Sequence, residues 1–306
     1  MTRNRFLPLA LVLAVGSLQP LHAQQRARGP ARVSVAGIAV SGFTSNALHF
    51  YRGADSRPLG SIPVPGAQSI ARGPAGRLYV CAEAIDEVLR FDPRDPTSLV
   101  SFVADDPLTP EDESGGLDGP TGAIFGPDGN LYVASFEGDS ILRFDGETGA
   151  YLDVFVPPGA GGLDGPDAGL EFGPDGHLYV PSYWNHRVLR YDGSTGASLG
   201  DFVPAGLGGL RNPRDVAFRD GFVFVASSTN NRVLRYDAGG AFVDRFINVP
   251  SPYHLQFHPV TGDLLVVNLN RNNVRIHDRF TGEFKRLLVG GGAGGLSGAT
   301  FVHVLR

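Results

Sequence analysis

Two dipeptides, Arg214-Asp215 and Tyr253-His254, occupy corresponding points of neighbouring sequence repeats and bring together a guanidinium, a carboxylate, a phenol and an imidazole. Arginine orients a carboxylate ligand through paired N–H donors, and histidine moves protons near neutral pH. His254, Arg214 and Asp215 are therefore the catalytic candidates. Asp167, one repeat earlier, adds a second carboxylate. With Asp215 it could give oxygen ligands to a hard cation, so both are metal candidates and Ca²⁺ is the ion they would suit. No other cofactor is expected, because zinc needs several converging histidines or thiolates and only His254 stands at such a point. The purely structural reading is an Arg–Asp pair tying two repeats together, with His254 satisfied by backbone.

A second group suits recognition more than catalysis. Tyr183, Trp184, Asn230, Tyr253 and Asn270, together with Asp167, are the ligand-binding candidates. Aromatic side chains anchor interfaces and stack on sugars or flat ligands. In register, the positions leading into each repeat read Gln68, Thr121, Asp167, Arg214 with Asp215, Tyr253 with His254, and Ser297. These unlike residues stand on a closely repeating scaffold, which points to an asymmetric site.

The scaffold that must position them is a repeated strand. VLRFD (88–92), ILRFD (141–145), VLRYD (188 to 192 and 233 to 237) and VRIHD (274–278) are versions of one segment, and ALHFY (47–51) is a degenerate sixth. They end at Tyr51, Asp92, Asp145, Asp192, Asp237 and Asp278, a spacing of 41 to 53 residues. That period fits four-stranded propeller blades. Each copy runs through a Gly/Pro-rich loop, a first strand, a turn such as Gly126-Pro127-Asp128-Gly129, a second strand such as LYVAS (131–135), a polar loop, the VLRYD strand and a fourth strand. Strands rich in Val, Leu, Phe and Tyr between turn residues predict an all-β, six-bladed β-propeller of antiparallel blades. The first copy lacks its first strand, with Gly37–Ser41 aligned to Leu131–Ser135, and the chain ends on an unpartnered one at 296–301. The C-terminal strand is thus expected to complete the first blade, which removes an exposed sheet edge.

The pattern P-x-x-[AV]-x-F, G-x-LYVA, N-x-RV-x-R resembles the NHL repeat. It is carried most fully by Asn185-His186-Arg187-Val188 and Asn230-Asn231-Arg232-Val233 and extends over 31–306. The resemblance implies the propeller fold and leaves activity open. Similar propellers include scaffolds, ligand-binding domains, an amidating lyase, streptogramin-type lyases, and gluconolactonase and strictosidine-synthase relatives. The amidating lyase would imply a histidine set that this chain mostly lacks. The gluconolactonase-like site would imply acidic and amide ligands, whose glutamate has no match here.

Composition sets the remaining bounds. With 42% apolar and 19% charged residues, the 306-residue chain can bury a large core. A net charge of −5, made more negative by loss of Arg3 and Arg5 with a leader, argues against nucleic acid. Residues 1–23 read as a cleaved signal peptide and 24–30 as a short flexible segment, so a secreted or periplasmic location is expected. No integral membrane segment is expected in the mature protein. The lone Cys81 permits no internal disulfide and reads as a buried strand residue. The acidic stretch 105–118 reads as a solvated insertion, and Gly-Gly-Leu-Asp-Gly-Pro at 115–120 and 161–166 as inter-blade turns. The partner expected is a protein, peptide or saccharide on the loop-bearing face. The alternative is a lyase or lactone hydrolase at the channel mouth.

Overall fold

The alternation of apolar residues within short, turn-bounded segments builds six antiparallel four-stranded sheets in the computed structural model, which describes residues 37–104 and 114–305. The expected leader at 1–23 and segment 24–30 lie outside the described residues, as do 105–113 of the acidic stretch. Blades 2 to 6 begin with innermost strands Ala67–Arg72, Pro120–Phe125, Glu171–Phe172, Pro213–Arg219 and Pro252–Phe257. Blade 1 is closed by the chain end. Ala299–Val304 lies against Gly37–Gly42 with Val40 opposite Val302 and Gly42 opposite Ala299. No helix among the described residues is long and apolar enough to cross a membrane.

The core sits between blades. One apolar cluster fills each of the six blade-to-blade interfaces. The recurring second-strand aromatic is the wedge. Tyr79 meets Phe102 of its own fourth strand and Phe125 of the next innermost strand, both edge-on at 4.8 Å. Tyr132 and Tyr179 do the same one and two blades on, a geometry that aromatic quadrupoles favour. Cys81 is buried, with its thiol pushed up to about 12 by desolvation.

The repeated polar letters close turns and join blades. The terminal aspartate of the VLRYD strands accepts hydrogen bonds from the following turn, as Asp192 does from the Ser194 and Thr195 N–H groups. The loop between second and third strands is four residues long in every blade. Its last residue is left-handed: Asn46, Asp86, Asp139, His186, Asn231 and Asn272 have φ between 49° and 63°. Each turns a side-chain acceptor onto a backbone N–H of the next blade, at Gly66, Gly119, Gly165, Asn212, Ser251 and Gly298. Asn, Asp and His tolerate that backbone conformation better than other side chains. The Asn-x-Arg-Val motif is thereby a blade-to-blade latch.

The hairpin register corrects one alignment. Gly42 pairs with Ala47 as Ser135 pairs with Ser140, so Ile38–Gly42, not Gly37–Ser41, matches Leu131–Ser135. The slip comes from matching Ser41 to Ser135, since the bulge opposite Gly42 recurs at the same level in blades 3 and 5. Asn272, the latch across the ring closure, offers a direct test. Replacing it with glycine keeps the left-handed backbone but strands the Gly298 N–H. We expect a cost of about 1–3 kcal/mol in urea unfolding, and a larger one for Asn272→Val, which also resists the backbone angle.

Candidate functional site

The four-residue loops and the segments leading into the innermost strands share one face. The first residue of each loop is Phe43, Glu83, Phe136, Tyr183, Ser228 or Leu269. Five of these six, all but Ser228, rim a recess of about 260 Å³ at the channel mouth, with Trp184 beside them. Trp184, second in its loop, is 57% exposed and packs edge-on against Tyr183 at 4.7 Å. Phe136 lies 6.1 Å and 6.2 Å from these two rings.

Below the rim, one polar residue per blade forms a layer across the channel: Thr300, Gln68, Thr121, Asp167, Arg214 and Tyr253. Each follows a conserved spacing within this chain, two residues after the latched N–H. Every member is committed. Arg214 donates to Asp167 at 2.7 Å and lies between the rings of Tyr183 and Tyr253, 4.4 Å from each centroid. Tyr253 Oη donates to Gln68 Oε1 at 2.9 Å, and Gln68 donates to Glu83. Thr121 and Thr300 donate to the carbonyls of Pro166 and Ala67. Burial raises the carboxyls of Asp167 and Glu83 and the phenol of Tyr253. Desolvation disfavours the charged form of each.

Sequence register placed Ser297 in this ring, but Thr300 occupies the place. Ser297 lies at the blade-closing turn, where its carbonyl accepts the Ser45 N–H. The catalytic trio is also divided. Arg214 and Asp215 are adjacent on an extended segment, so their side chains diverge. Arg214 faces the polar layer, whereas Asp215 pairs with His254 deeper in the channel, with Nδ1 2.7 Å from Oδ2. Asp215 also accepts the backbone N–H groups of Val216 and Leu255, and His254 stacks on Phe301 at 3.4 Å. Burial raises the Asp215 carboxyl, opposed by His254.

Asp215 and His254 line a separate chamber of about 400 Å³ that opens toward the opposite face. Of the recognition candidates, Tyr183, Trp184 and Tyr253 line the recess. Asn230 is tied to the Gly209 carbonyl, and Asn270 is exposed outside the recess lining. As metal candidates, Asp167 and Asp215 do not fit a ready cation site. Their oxygens are engaged by Arg214 and by His254 with backbone N–H groups. No cluster of three or more His, Cys, Asp or Glu suited to a metal occurs among the described residues.

Sequence reasoning missed Phe43, whose equivalence to Phe136 was hidden by the register slip, and Glu171. The latter was signalled by blade 4 itself: Asp167 to Phe172 spans one residue more than Thr121 to Phe125. The surplus is absorbed where Gly169 leaves its own blade and exchanges backbone hydrogen bonds with Arg214 and Val216.

No family model matches the sequence, and no curated protein matches it. Solved structures do. A chain from a nidogen/laminin complex superposes with TM-score 0.68 at 13% identity, covering 89% of this chain and 98% of that one. A protein of unknown function from Bacteroides caccae gives 0.67 at 15%, covering 89% and 100%. Virginiamycin B lyase from Staphylococcus aureus gives 0.57 at 14%, covering 82% and 84%. The chain is a six-bladed β-propeller. At these identities the likeness is one of fold.

Two measurements probe the propeller's channel. Arg214→Met leaves Asp167 buried without its cation and should cost about 3–5 kcal/mol. Adding Asp167→Asn should recover part of that in a double-mutant cycle. Burial pushes Glu171 up to about 8, so the folded protein holds a proton that the unfolded chain releases near pH 4.3. Stability should therefore fall as pH rises from about 4.5 to 8, and Glu171→Gln should remove that part of the slope in melts across pH.

Proposed function

We propose that this propeller is an exported binding scaffold whose recess takes an aromatic or apolar side chain from a protein or peptide ligand. One observation carries the reading. Phe43, Phe136, Tyr183, Trp184 and Leu269 converge from four loops on a single recess, and its polar floor is already internally hydrogen-bonded. A floor whose residues are each already hydrogen-bonded within the protein, with Arg214 Nε buried, asks little of a ligand in hydrogen bonds, so selectivity falls to shape and aromatic contact. Exposed aromatics around a concave centre are the residues that dominate interface energetics. The likeness to a chain of a nidogen/laminin complex supports a protein partner for the same fold. A saccharide is the second ligand class, since Trp184 and Tyr183 also present flat stacking surfaces.

The lyase or lactone-hydrolase alternative draws on the likeness to virginiamycin B lyase. It needs His254, Arg214, Asp167 and Asp215 at one mouth. Asp215 and His254 lie instead on the chamber side of the polar layer, which gives that reading less support.

Selection from a random peptide display library against residues 31–306, with a glycan array in parallel, tests the proposal. Enriched peptides should contain an aromatic or long aliphatic anchor and lose at least tenfold in affinity on Trp184→Ala or Tyr183→Ala. Enriched ligands that bind both variants as tightly as wild type would overturn it.

A further inference from the structure

The lower chamber holds a carboxyl that the fold leaves without a partner and an imidazole that it partners on one nitrogen alone. Glu171 lines it, with no hydrogen bond or ion pair among the described residues. His254 also lines it. Nδ1 of His254 faces Asp215, while Nε2 is buried without a partner and the residue is only 7% exposed. A buried polar atom without a partner costs about 1–3 kcal/mol, and uncompensated carboxylates are rare in native interiors. Such groups gathered in one cavity mark a functional site.

The electrostatics select the ligand's sign. The titratable groups around Glu171 are Asp215, His254, His303 on the strand Ala299–Val304, and Arg72 at the exposed rim. The blade 3 strand contributes only Ala123, Ile124 and Phe125. Asp215 disfavours ionisation of Glu171, and a cation seated beside the two carboxyls would relieve that repulsion, whereas an anion would add to it. Beyond these groups the lining holds one amide, Gln256, whose Oε1 accepts the Val304 N–H, and is otherwise apolar, including Leu170, Phe218, Phe257 and Phe301. Ala71 and Ala217, at positions equivalent to Glu171 in their blades, leave the space open.

We propose that this chamber binds a small primary alkylammonium ion, whose N–H donors meet Glu171 and His254 Nε2 and whose alkyl part lies along Leu170 and Phe301. Three N–H donors on a compact cation match two free acceptors, and aromatic walls favour a cation as well as an alkyl chain. The inference is independent of the recess on the loop face.

Binding must then ionise Glu171, whose proton is held up to about pH 8 in the empty chamber. Affinity should rise about tenfold from pH 6 to 7 and level off above 8, with proton release on binding.

Titration calorimetry of the mature chain with n-butylammonium chloride, in phosphate and in HEPES at several pH values, tests this. The expected result is one site, proton release revealed by the buffer difference, the tenfold rise, and at least tenfold weakening in Glu171→Gln. Trp184→Ala should bind like wild type, which separates this site from the loop-face recess. Glu171→Gln replaces a neutral acid with a neutral amide at pH 6 and should melt as wild type does there. If that variant fails to fold, the wild-type pH series decides. Absence of binding, pH-independent binding, equal affinity in Glu171→Gln, or tighter binding of butyrate would each overturn the proposal.

Discussion

The ring depends on a hydrogen bond made six times, from a blade's backbone N–H to the side chain of a left-handed residue in the blade before it. Each bond contributes about 1 kcal/mol net. Its larger effect is geometric. It fixes where one blade's second loop stands against the next blade's first strand, and so sets the level of both the rim residue and the polar-layer residue. The last latch, Asn272 to Gly298, carries the same register across the junction of the chain's two ends. Inter-blade apolar clusters supply the bulk of the burial, but apolar contact is non-directional and cannot by itself set a register.

Much of this was legible in the sequence because the repeat is read through its punctuation. Strand count, blade count and closure by the C-terminal strand follow from the spacing of the VLRYD strings and their turns. What was not legible came from single-residue irregularities. Ser41 was matched to Ser135, whereas Gly42 holds that place, and this one-residue slip concealed Phe43. A loose match at the chain end put Ser297 where Thr300 stands. Sequence adjacency suggested that Arg214, Asp215 and His254 would meet, but neighbours on an extended segment point apart, so that Arg214 joins Asp167 within the polar layer and Asp215 joins His254 below it. Glu171 gave no motif. Its character comes entirely from a cavity that two alanines on other blades leave open.

The polar layer makes the channel two compartments with different chemistry. Above it, aromatic side chains surround a floor whose residues are each hydrogen-bonded to one another or to backbone carbonyls. Below it, an Asp–His pair and a lone glutamate face walls that are mostly apolar, with Gln256, His303 and Arg72 among them. The Arg214 guanidinium, held between two phenol rings and against Asp167, is the centre of that partition. It is better understood as a structural divider than as an open anion site.

The extra residue in blade 4 has a consequence for folding. Neighbouring repeats that share VLRYD invite wrong pairings during collapse, a known hazard of repetitive chains. Gly169 lies so close to Asp215 that even a methyl group there would overlap its carboxyl. Only the authentic blade 5, entering directly after blade 4, brings Asp215 to that glycine. The two repeats with identical strings therefore differ at the seam they share, where blade 4 supplies a glycine fitted to the Asp215 of blade 5.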